Sequence, residues 1–127
     1  MGEGTAQSPY RLTSIRTDST IVRASHSYLQ SLQARDAPAP YLLLVSLMGV
    51  RGIPYSFAMD AGTLFEDEAG TLDRDQFHFT ELVIDDVPLD PYEYAKLLRP
   101  LLDQIANAAG RAKTPSFQHD GRFRVRI

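Results

Sequence analysis

Tyr41-Leu42-Leu43-Leu44-Val45-Ser46-Leu47-Met48 is the stretch on which the fold turns. It is uncharged, apolar on both alternate phases, and bounded by Pro40 and Gly49. Continuous apolarity over that length predicts a strand covered on both faces. Gly49-Val50-Arg51-Gly52 reads as a turn and Ile53 to Met59 as a second strand, so the two predict a hairpin. Pro54 belongs at an edge or a strand start, because it has no N–H for the ladder.

Working outward, Ala37-Pro38-Ala39-Pro40 is a stiff extended connector, since each proline fixes φ and restricts its predecessor. Before it, Ile21, Val22, Ala24, Tyr28, Leu29 and Leu32 recur near helical spacing. Asp18, Ser19 or Thr20 can cap that helix, which is expected over about 20–35. Arg11 to Arg16 reads as a short edge strand, and residues 1–9 as a flexible start.

Asp60 to Asp75 is an acidic, glycine-containing loop. Phe77 to Val87 is apolar on both phases and is expected to be a central strand. Asp90 then caps a helix with Pro91 at its first position and Glu93 near its positive end. Tyr94, Leu97, Leu98, Leu101, Leu102, Ile105, Ala108 and Ala109 form its apolar stripe, so the helix runs over about 91–109 and stops at Gly110. Pro100 should kink or split it. After a loop and the Asp120-Gly121 turn, Phe123, Val125 and Ile127 alternate with Arg122, Arg124 and Arg126, the pattern of a half-buried strand. The expected fold is one α+β domain over 10–127: a mainly antiparallel sheet of four or five strands, with both helices packed on one face.

Composition fits a globular chain of this kind. Of 127 residues, 43% are hydrophobic and 23% charged, and there is no cysteine. Thiol catalysis, zinc–thiolate sites and disulfides are therefore excluded. No apolar run approaches the roughly 20 residues of a membrane-spanning helix, and the first residues lack the pattern of a secretory signal. A cytoplasmic protein without membrane association is the expectation. Arginine outnumbers lysine 11 to 2, which fits a GC-rich genome.

Charge is unevenly spread. From Asp60 to Glu93 there are eleven acids and one base, whereas Arg111 to Ile127 holds five bases and one acid. The middle thus carries −10 and the tail +4. The simpler reading is that tail and middle neutralise each other; the sharper one is an interaction tail. Arg111, Lys113, Arg122, Arg124 and Arg126 are then the candidate residues for binding a partner or nucleic acid.

Catalytic patterns are absent from the sequence. No Gly-x-Ser-x-Gly elbow, Walker motif or Gly-x-Gly-x-x-Gly loop occurs. His26, His78 and His119 stand at no metal-ligand spacing. Glu66, Asp67, Glu68, Asp73 and Asp75 could hold a hard cation but lack the EF-hand framework, and they read as a solvated loop. Glu81, Asp85 and Asp86 resemble the acids of metal-dependent nucleases, yet no Glu-x-Lys or Asp-x-Lys follows them. No catalytic residue, metal ligand or cofactor is assigned.

Three groups of short words carry a family resemblance. They are Leu44-Val45-Ser46-Leu47-Met48-Gly49-Val50-Arg51-Gly52; Asp73-Arg74-Asp75 with Glu81-Leu82-Val83-Ile84-Asp85-Asp86; and Leu98-Arg99-Pro100-Leu101-Leu102-Asp103 with Asn107-Ala108-Ala109-Gly110. Together with Thr114-Pro115-Ser116 and Asp120-Gly121, this order resembles the C-terminal part of bacterial proteins that carry a Schlafen-type AlbA_2 domain. The resemblance spans about residues 41–123. It implies a nucleic-acid-binding or regulatory setting. The glycine-rich strand of that domain's nucleotide-facing core is missing here, so no functional residue is carried over.

The leading expectation is a non-catalytic interaction or accessory module, working as a homo-oligomer or beside a larger protein partner. A nucleic-acid-binding protein using the C-terminal arginines is the alternative. A small metal-dependent hydrolase using Glu66, Asp67, Asp73 or Asp75 is the third reading.

Overall fold

The computed structural model describes residues 12–57 and 70–127. The expected flexible start at 1–9, residues 58 and 59 of the expected second strand, and most of the acidic loop lie outside them. The described chain is α+β. In order it contains β1 (Leu12–Thr13), α1 (Ser14–Ala34), β2 (Tyr41–Leu43), β3 (Ser46–Met48), β4 (Pro54–Ser56), β5 (Gly70–Thr71), β6 (Gln76–His78), β7 (Leu82–Ile84), α2 (Pro91–Leu97) and α3 (Arg99–Ala108).

Helix α1 begins six residues before the expected start. Thr13, in extended conformation, accepts from the Arg16 N–H and caps it. Asp18 and Ser19, read above as caps, lie inside the helix and are buried. The expected edge strand at 11–16 accordingly shrinks to Leu12–Thr13, which pairs in parallel with β4. The inward stripe of α1 is Ser14, Asp18, Val22, His26 and Leu29, spaced by four, four, four and three residues.

The hairpin expected between 41–48 and 53–59 does not form. Both segments belong to one outgoing arm, 41–57, and both pair with a return arm, 70–84. β2 runs antiparallel to β7, β3 to β6 and β4 to β5. Between the ladders, Gly49 N–H donates to Asp75 O at 2.7 Å, Gly52 N–H to Leu72 O at 2.8 Å, and Leu72 N–H to Ile53 O at 3.2 Å. Gly49 to Gly52 is thus a kink within one arm. Ile53 N–H closes it onto Val50 O at 2.9 Å, and Gly49 and Gly52 take φ of 69° and 79°, which a side chain would strain. Backbone pairing is divided between one three-stranded ladder, β1-β4-β5, and the two-stranded ladders β2-β7 and β3-β6.

A bulge separates those last two ladders. Tyr41 faces Ile84 and Leu43 faces Leu82, but Ser46 faces His78. Leu44 and Val45 therefore oppose Phe79, Thr80 and Glu81, with one extra residue on the return arm. Phe79 N–H reaches Val45 O at 3.2 Å, and Thr80 N–H is satisfied by Gln104 Oε1 of α3 at 2.8 Å. The expected continuous central strand at 77–87 is broken at this point.

The core is built where the helices meet the inner side of the ribbon. Val22, Tyr55, Leu72, Ile84, Tyr94, Leu98, Leu102, Ile105 and Phe123 are among its buried members. The C-terminal segment keeps the expected alternation, with Phe123 buried and Arg122, Arg124 and Arg126 exposed. It forms a single bridge, Phe117 to Phe123, rather than a strand.

The helix expected at 91–109 is split at Leu98, which caps the end of α2 and the start of α3. Pro100 then sits in the first turn of α3, where no N–H is needed. The split removes most of the cost of a mid-helix proline. Pro100→Ala should change unfolding free energy by no more than about 1 kcal/mol, against about 3 kcal/mol for a proline inside a helix. Urea unfolding of both proteins checks this.

Candidate functional site

Three arrangements concentrate side chains beyond what packing requires. The first is the outward side of the ribbon. Along 41–48 the even residues face solvent and the odd ones face the core. Leu42, Leu44 and Met48 therefore stand outside, and Val83, opposite Leu42, joins them. Tyr28 of α1 shares a groove of about 380 Å³ with Leu42 and Leu44. Leu97 of α2 shares another, of about 280 Å³, with Val83. These six side chains are 41% to 67% exposed, and among the described residues just one other large apolar side chain, Leu89, is as exposed. The strands read as covered on both faces are covered on one: the helices pack the inner side only.

The polar half of the same face is ordered. Ser46 Oγ lies 2.9 Å from His78 Nδ1, and His78 Nε2 lies 3.3 Å from Gln76 Oε1. Glu81, Asp85 and Asp86 are exposed beside Val83. Among the described residues no group of three or more His, Asp or Glu could hold a metal ion. Asp73 and Asp75 are exposed, with Arg74 3.9 Å from Asp73; Glu66, Asp67 and Glu68 lie outside the described residues.

The second arrangement is the C-terminal set of bases. The Arg111 guanidinium lies 4.8 Å above the Phe57 ring, and that of Arg122 lies 4.0 Å above Tyr92. Arg124 Nε donates to Pro115 O at 2.8 Å. Lys113 and Arg126 are exposed. Among the described residues none of the five pairs with an acid. Two of them thus cover aromatic rings, an attraction of about 0.5–1 kcal/mol at exposed sites, and keep their outer edges in water. Tyr92 and Phe117 carry the guanidinium groups of Arg122 and Arg99 on their faces.

The third, which the sequence reading missed, is a buried carboxylate. Asp18 is 1% exposed. Its Oδ2 accepts from Thr114 Oγ1 at 2.5 Å and from Ser116 Oγ at 2.7 Å. Oδ1 has no hydrogen-bond partner among the described residues, and neither has buried Ser14 Oγ one turn earlier. Burial pushes the Asp18 carboxyl up to about 6; the two hydroxyls oppose that rise and the nearby Asp103 charge adds to it. Tyr55 is raised as well, by burial and then by Asp18. Thr114 N–H also donates to Asp103 Oδ1 at 2.9 Å, so Asp18 and Asp103 together fasten the C-terminal segment to α1 and α3. The available signal was spacing: Asp18 lies four residues before Val22, on the stripe that Val22 and Leu29 define.

No family model, curated protein or solved structure matches this chain. The site therefore stands on its own geometry.

The Asp18 arrangement has a defined pH signature. The folded carboxyl titrates near 6 and the unfolded one near 3.8, so the native state holds the proton more tightly. Its stabilising contribution is complete below about 3.8 and is lost as pH rises through about 6, a difference of roughly 3 kcal/mol. Denaturant unfolding of wild type and Asp18→Asn at several pH values isolates it. The stability of the variant relative to wild type should increase between pH 4 and 6.5 and then level off.

Proposed function

We propose that this chain is a non-catalytic interaction module of a bacterial cytoplasmic protein system, acting in an oligomer or beside a larger partner through the outward side of its ribbon. One observation carries the reading: six of the seven exposed large apolar side chains among the described residues lie on that side or in the grooves along it. The largest apolar patch on a soluble domain is often a functional surface. The short words shared with AlbA_2-bearing proteins support an accessory setting for such a module.

The test is a double substitution, Leu42→Glu with Val83→Glu. Both positions are solvent-facing, so stability should change by less than about 1 kcal/mol. Association seen by cross-linking mass spectrometry in host extract should map to the ribbon in wild type and disappear in the variant. Association that maps elsewhere, or survives the substitution, contradicts the proposal.

A second reading rests on Arg111, Lys113, Arg122, Arg124 and Arg126, which have no ion-pair partner among the described residues. They could track a phosphate backbone. Binding to DNA or RNA would then weaken steeply with salt, and the Arg122→Ala, Arg124→Ala, Arg126→Ala triple variant would flatten the log–log salt slope by about 1 per arginine. Absence of any gel shift at low salt removes this reading.

A further inference from the structure

We propose that the partner on the ribbon is a second copy of this chain, joined antiparallel along the free edge of 41–48 about a two-fold axis near Leu44. The inference rests on the ribbon being the contact surface, and it names the occupant.

Backbone parity exposes the edge. The Val45 C=O and the Gly49 N–H point to the return arm, where they meet Phe79 and Asp75. Residues of the opposite parity, Leu42, Leu44, Ser46 and Met48, turn their N–H and C=O groups the other way. A strand edge of this kind is a template for another strand unless charge, proline or a covering element blunts it. From Tyr41 to Val50 there is no charged residue and no proline. What borders the edge instead is the groove shared by α1 and 41–44, lined by Tyr28, Leu29, Leu32 and Leu42 among others.

Charge selects a second copy, and this edge, over other arrangements. The return arm and the two residues after it bear Asp73, Asp75, Glu81, Asp85 and Asp86 against Arg74 alone, so two copies meeting there would set acid against acid. The outgoing arm over 41–50 is neutral, so it meets its own image without repulsion. A basic partner would instead be drawn to the return arm. Antiparallel pairing about Leu44 would satisfy the outward N–H and C=O groups of Leu42, Leu44, Ser46 and Met48 in both copies and set the two Leu44 side chains beside each other across the seam, while Val83 on the return arm stays outside it. Pairing would join two ribbons into a four-stranded sheet, with both Leu44 side chains on the solvent side of the strand.

The absence of cysteine makes the test direct. Leu44→Cys and, as a control in the exposed turn, His119→Cys are each treated with a short bismaleimide at high and low protein concentration. Sedimentation velocity is run on the untreated wild type and on Leu44→Lys. The proposal expects wild type to sediment as a dimer, Leu44→Lys as a folded monomer with the circular dichroism spectrum of wild type and a melting temperature that no longer depends on protein concentration, and Leu44→Cys alone to cross-link efficiently to twice the 14.2 kDa chain mass. A wild-type monomer at several hundred micromolar overturns it. So does a dimer that Leu44→Lys leaves intact, or equal cross-linking at positions 44 and 119. If the chain is monomeric, yet the Leu42→Glu, Val83→Glu variant still loses a partner from extract, the ribbon is a contact surface for a different protein and only the second copy is refuted.

Discussion

A strand that is apolar on both phases but covered on one face governs this molecule. The odd residues of 41–48 are spent on the core, where Tyr41 is buried and Leu43, Val45 and Leu47 are partly so. The even residues gain nothing from the fold of a single chain. Most sheets resolve this conflict by alternating polar with apolar residues or by covering the second face. Here neither occurs: Leu42 and Leu44 are leucines facing water, and Val83 sits beside them.

The rest of the architecture accommodates that ribbon. Its arms stay in register through a kink at Gly49–Gly52 and a bulge at Phe79–Glu81. The bulge places Thr80 N–H on Gln104, which ties the return arm to α3. The C-terminal segment, folded on itself by the Phe117–Phe123 bridge, is held to α1 and α3 by Asp18 and Asp103. Asp18 is a costly fastener, since a carboxylate out of water is met here by two hydroxyls and, among the described residues, by no cation. It fixes one position for the segment, because an alternative placement would leave the carboxylate without hydrogen-bond donors.

What the sequence made legible was local. The Asp90-Pro91 start, the end at Gly110, the division at Pro100 and the alternation of 122–127 all follow from rules spanning a few residues. Strand partners did not follow, because uniform apolarity carries no record of which segment pairs with which. Gly49-Val50-Arg51-Gly52 fits a hairpin turn as well as a kink; the structure decides through bonds to Asp75 and Leu72, twenty or more residues away. Asp18 was read as a cap because Asp favours helix starts, and Thr13, equally able to cap, lay one turn further back. The five C-terminal bases were visible as a charge pattern, but the rings beneath Arg111 and Arg122 come from Phe57 and Tyr92, which only the fold brings to them.

Hydrogen exchange at the amides of Leu42, Leu44, Ser46 and Met48 tests the central claim most directly. These groups point away from the return arm, so in an isolated chain they exchange at nearly the rate of an unfolded peptide. If the ribbon is a contact surface for a second copy, their exchange slows at least tenfold as protein concentration rises through the association range, while that of exposed His119 does not. Rapid exchange of all four at every concentration would contradict the account.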